Sequence, residues 1–283
     1  MQSSNPVFTR SEGFNGRGGT AYADFGAAPT SPSTHEPYGS TLTGSGRMTI
    51  DTVVQKTAIT LGVVVLAAAA TWILTGDVVT QNAFGDPVLD SGKTQLLYTL
   101  SAVGALGGFA LAMVNSFKRV ISPALVIGYA ALEGVFIGAM SKTFQLAFGD
   151  GVVTGAVLGT VAAVAGTLTA YKVFDIRVGD KFRKWVIAAM FGFVAVTLLD
   201  FVLHFFKADL GFNGFGGLGL VMSFVGLGLG VLMLILDFDF VEQGIAAGLP
   251  ERESWRAAFG FTVTIVWIYI ELLRILAILR GND

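Results

Sequence analysis

Leu232-Met233-Leu234-Ile235-Leu236-Asp237-Phe238-Asp239 closes one long apolar run, and Thr264-Ile265-Val266-Trp267-Ile268-Tyr269-Ile270-Glu271-Leu272-Leu273-Arg274 lies inside the next. A polar turn around Leu249-Pro250-Glu251 separates them. Each run approaches the roughly 20 apolar residues that cross a bilayer as a helix. A charged side chain at the centre of such a helix costs roughly 3 kcal/mol even on lenient scales. Acids kept there must be satisfied or used, so these two runs bear on both the fold and the function.

Outward from them the same pattern repeats. Seven apolar segments are predicted at about residues 53–75, 95–114, 124–147, 151–173, 185–206, 216–236 and 257–279. The whole chain is 53% hydrophobic and only 13% charged, with a mean hydropathy of +0.68. A soluble domain carries roughly 25% charged residues. The reading is an all-α membrane protein, a seven-transmembrane-helix bundle surrounded by lipid. Residues 1–47 are rich in Ser, Gly, Thr, Pro and Asn and read as a disordered cytoplasmic tail. Residues 48–283 form the transmembrane domain, with Thr49 or Asp51 as the cap of its first helix.

Basic residues in the short loops set the expected orientation. Thirteen of the 18 Lys and Arg fall on the side of the N-terminus, among them Lys56, Lys118, Arg119, Lys181, Arg183 and Arg256. Lys93, Lys142, Lys207, Arg274 and Arg280 fall on the other. The N-terminus is therefore expected in the cytoplasm and the C-terminus outside. The formal charge of −2 speaks against nucleic acid as a partner.

Several chemistries lack their residues. There is no Cys, and only His35 and His204 among histidines, so thiolate catalysis and multi-His metal centres are excluded. No His-Glu-x-x-His, Gly-x-Ser-x-Gly or Walker-type Gly-Lys-Ser/Thr motif is present. An enzyme or an ATP-driven pump is not expected, and no cofactor is required.

The intramembrane polar residues remain. Asp237 and Asp239 end the sixth segment at the cytoplasmic side and point in nearly opposite directions at helical period. One faces the bundle interior; the other is free to face water. Thr264, Trp267, Glu271 and Arg274 form one stripe on the last helix, which places that helix inside the bundle. Glu271 and Arg274 are spaced to pair with each other. Glu133 sits alone near the middle of the third segment. Asp200 and His204 share a face of the fifth, as a weak metal or proton site or as a snorkelled helix end. Glycines recur at four-residue spacing, as in Gly104/Gly108, Gly134/Gly138 and Gly226/Gly230, which suits close helix packing.

Tyr129-x3-Glu133-Gly134-x3-Gly138, Ile235-Leu236-Asp237 and Leu272-Leu273-Arg274, in this order on seven segments, resemble the Bax inhibitor-1 family in its bacterial inner-membrane branch. Ser4-Asn5-Pro6-Val7-Phe8 is similar to the opening of an actinobacterial subgroup. The resemblance implies a bundle with the last helix at its centre and a pH-sensitive calcium leak. It implies that two aspartates, from helices six and seven, share a proton. Asp237 matches the first, with Asp239 as the alternative; the second falls on Thr264, so no carboxylate stands there. An Arg latch at the end of helix two falls on Lys118 or Arg119, set to meet Asp237. The family arginine of helix seven matches Arg274; Gly107 and Gly108 stand where its acidic partner would be, and Glu271 is the local substitute.

The expected function is a slow cation leak, with Ca2+ as the permeant ion held in passing by Asp237, and Glu133 and Glu271 along the path. The alternative is a non-conducting regulator that binds another membrane protein, such as a quality-control protease.

Overall fold

The computed structural model describes residues 46–281 except 83, 85, 177 and 209. Seven helices run through them: α1 (Ile50–Leu74), α2 (Ser91–Phe117), α3 (Pro123–Phe148), α4 (Val152–Val173), α5 (Asp180–Phe205), α6 (Gly217–Ala246) and α7 (Glu253–Gly281). All seven are long and apolar enough to cross a membrane. An antiparallel hairpin, β1 (Val79–Gln81) and β2 (Pro87–Leu89), lies between α1 and α2.

The tail predicted over 1–47 lies outside the described residues, save for Gly46 and Arg47. Arg47 bridges Pro250, and Glu251 N donates to Gly46 O at 2.6 Å. Met48 is fully buried beside them. Thr49 is the helix cap, and its hydroxyl accepts from Thr52 N.

The last helix is central, as expected. α7 packs against α6, α4, α1 and α3. Its spanning window is 56% buried, against 17% for α1, α2 and α5. The rest of the apolar surface is turned outward: Leu66, Leu106 and Phe191 are each more than 70% exposed. That is the surface a bilayer covers, since lipid tails are as apolar as leucine.

Glycines set the closest approaches. A Cβ at Gly138 would stand 2.8 Å from Ala68 Cα, and one at Gly104 would stand 2.6 Å from Phe136 N. Only hydrogen fits there, so α1 and α2 seat on α3 backbone to backbone.

The helix ends differ from the apolar runs. α6 does not stop at the acids but continues through them to Ala246, and α5 begins at Asp180. The extra turns of α6 bury Val241 and Gly244 against the N-terminal strap; a Cβ at Gly244 would stand 3.0 Å from Met48 Sδ. Tertiary packing, not local hydropathy, sets that end.

Candidate functional site

α6 and α7 bring Asp237 and Thr264 together near the face where α1 begins. Thr264 Oγ1 donates to Asp237 Oδ2 at 2.6 Å. Gly260, one turn earlier on α7, leaves room for the other oxygen; a Cβ there would stand 3.3 Å from Oδ1. Asp237 opens onto a cavity of about 330 Å3 lined also by Asn115, Ser116, Phe240, Arg256 and Phe259. Asn115 is 2% exposed, and neither end of its amide has a hydrogen-bond partner. Such a group holds unused capacity for a donor or an oxygen-seeking ligand.

No ion pair reaches Asp237 among the described residues. The expected latch is not formed: α2 ends at Phe117, and Lys118 and Arg119 are both exposed beyond it. Arg119 contributes its backbone carbonyl instead, which accepts from Arg256 Nη2 at 2.9 Å. Arg256 Nε donates to Glu253 Oε2 at 2.7 Å, so this guanidinium lines the cavity while held by another acid.

Asp239 points the other way, as the helical period requires, but it does not face water. It is 8% exposed and accepts from Arg183 Nη2 at 2.6 Å and from Gln243 Nε2 at 2.8 Å. Arg183 is a partner that the sequence does not reveal, since its position marks it only as a loop cation. Beside it, Tyr171 donates to Glu242 at 2.8 Å.

Glu133 lies on α3 against α2. A Cβ at Gly108 would stand 2.9 Å from Glu133 Oε2, so Gly108, expected where an acid would pair with Arg274, makes room for Glu133. Tyr129, one turn earlier, sets its ring edge-on to Phe259 at 5.1 Å, and Phe259 borders the Asp237 cavity.

In the opposite half of the bundle, the expected Glu271–Arg274 ion pair is absent. Arg274 donates to the carbonyls of Phe212 and Gly214 in the α5–α6 loop. Glu271 is 6% exposed, with Oε2 unpartnered, and it faces Ser223, whose hydroxyl is also buried and unpartnered. Gly226 makes space for this carboxyl and accepts a hydrogen bond from Trp267 Nε1 at 2.9 Å. Asp200 is not a snorkelled end. It is buried and accepts the backbone N–H groups of Leu210 at 2.5 Å and Asn213 at 2.7 Å.

Asp237, Glu133 and Glu271 thus lie at separate depths, and no hydrogen bond or ion pair joins them among the described residues. Among those residues no three acidic or histidine side chains gather as a metal site. Calcium takes six to eight oxygens when it is held. Asp237, Thr264 and Asn115 together offer fewer oxygens than that.

No curated protein matches the chain. The family described as Bax inhibitor 1 like matches residues 5–281, which takes in all seven helices and every site residue above. The chain belongs to the Bax inhibitor-1 family.

Proposed function

We propose that this protein is a slow, pH-influenced cation leak of a bacterial inner membrane, with Ca2+ as its cargo and no catalytic step. Asp237 forms its cytoplasmic mouth, and Glu133 and Glu271 offer carboxylates deeper in the slab. The observation that carries this reading is the unpaired state of Asp237: a half-buried acid on a cavity, with a threonine donor and, among the described residues, no ion pair, the cavity's Arg256 being held by Glu253. A carboxylate stabilised by a neutral donor keeps its charge available to an arriving ion. It attracts a cation only while ionised, so flux falls as the cytoplasmic face is acidified.

The test is calcium entry into liposomes that hold the purified protein. Flux is expected in the wild type, and Asp237→Asn is expected to reduce it about tenfold and flatten its pH dependence. Flux that Asp237→Asn leaves unchanged at every pH would reject the mouth. Absence of flux, with a stoichiometric membrane protein co-purifying, would replace this reading by that of a non-conducting regulator.

A further inference from the structure

α1 and α4 both pack on α7 without a packed interface with each other. Between them lies a cleft of about 400 Å3, lined by Leu61, Ala69, Trp72, Ser141, Val157 and Tyr269 among others. Its walls are apolar. The two hydroxyls on its floor satisfy one another, Ser141 Oγ and Tyr269 Oη lying 2.6 Å apart, so neither asks for a polar ligand. The rims are open to the surface: Val65 is 64% and Val161 is 62% exposed.

The length of the cleft identifies what fits it. From Leu61 to Trp72 it follows α1 for about 16 Å at helical rise. That is close to half of the roughly 30 Å hydrocarbon core, the depth of one leaflet. A partner helix seeks a surface along the full span; a half-span slot suits an acyl chain. At its end the cleft meets, through Trp72, a second pocket of about 490 Å3 lined by Gly76, Asp77, Lys142 and Gln145. Lys142 has its three N–H groups taken by the carbonyls of Trp72 and Gly76 and by Thr75 Oγ1. Asp77 is exposed there; its carboxylate forms no ion pair among the described residues, while Lys93 Nζ donates to its backbone carbonyl at 2.6 Å and leaves a cation beside it for the lipid phosphate.

The geometry points to a bound glycerophospholipid of the leaflet where α1 ends. One tail lies in the α1–α4 cleft, and an ammonium-bearing headgroup faces Asp77. This site is independent of the calcium leak and lies on the far side of α7 from the Asp237 cavity.

Native mass spectrometry of the full chain tests it. The purified protein is stripped with detergent and reloaded from micelles of phosphatidylethanolamine or phosphatidylglycerol. The wild type is expected to retain one phosphatidylethanolamine, several-fold in excess over phosphatidylglycerol, and Asp77→Asn to erase that preference. Ala69→Trp and Val157→Trp, which fill the cleft from opposite walls, should lose the lipid; Leu106→Trp, on the exposed face of α2, should keep it. Circular dichroism melts identify any variant that fails to fold, and either cleft variant alone suffices. Equal retention by the wild type and the cleft variants, equal retention of both lipids, or a second protein chain in place of lipid would overturn the proposal.

Discussion

Arg274 lies one turn beyond Glu271 on α7 and turns away from it to hold the carbonyls of Phe212 and Gly214. Glu271 is left buried, with Oε2 lacking any donor. A buried carboxyl oxygen without a donor is a liability to the fold. Glu271→Gln should therefore keep the protein folded and raise its melting temperature by roughly 3 °C. Arg274→Leu should lower it, because it frees the α5–α6 loop. Differential scanning fluorimetry in detergent distinguishes the two outcomes; a large loss of stability in Glu271→Gln would mean that the carboxylate is paired.

Thr264 occupies the position facing Asp237, where a second acid would share a proton. Thr264→Asp would set two carboxylates within hydrogen-bond reach. Like charges at that distance cannot both ionise freely. The flux–pH profile should gain a second titrating step that the wild type lacks. Profiles of identical shape would show that this position does not communicate with the conducting route.

Asp239 and Arg183 form a half-buried brace between α5 and α6, separate from the Asp237 cavity. Arg183→Ala leaves Asp239 with Gln243 alone and should cost about 2 kcal/mol. Asp239→Asn should cost a similar amount, measured by urea denaturation in mild detergent. Both should retain calcium flux per folded molecule, in contrast to Asp237→Asn. Equal loss of flux in Asp239→Asn would move the mouth to the α5 side.

Lys142 caps α1 from α3, its ammonium 5.6 Å from the centre of the Trp72 ring. The last carbonyls of a helix have no partners of their own. Lys142→Met would orphan them and should lower the melting temperature by roughly 5 °C, most visibly as faster amide exchange at residues 72–76. Unchanged exchange would show that water replaces the ammonium at no cost.

Gly138 meets the α1 backbone at Ala68 with no room for a methyl group. Gly138→Val should force α1 off α3 and leave little folded protein after purification. A stable, monodisperse Gly138→Val would show that the two helices slide to admit it.

The spans were legible because each helix carries a continuous apolar run, and lipid tolerates little else. Their ends were less so. α6 outruns its apolar stretch because Met48 and Leu249 cover its last turns, and Met48 comes from a segment nearly 200 residues away in the chain. The opposed directions of Asp237 and Asp239 followed from helical period alone. Arg183 did not, since it belongs to another helix; Thr264 was set opposite Asp237 only by the family resemblance. The Glu271–Arg274 pair was locally reasonable at three-residue spacing. It fails because loop carbonyls some 60 residues upstream hold the guanidinium, which no local pattern encodes. Glu133 was visible as a lone acid; its accommodation by Gly108 required the α2–α3 contact.

The strap at Gly46 to Met48 also bears on mechanics. Lys56 of α1 pairs with Glu251 at 2.9 Å, Thr52 meets Ser254 at 2.8 Å, and Arg47 bridges Pro250, so the beginnings of α1 and α7 are knotted together. A rigid post of this kind does not swing. α2 packs mainly on α3 and carries Asn115 into the Asp237 cavity. If the aperture widens, α2 is the leaf of the door and α7 is its jamb.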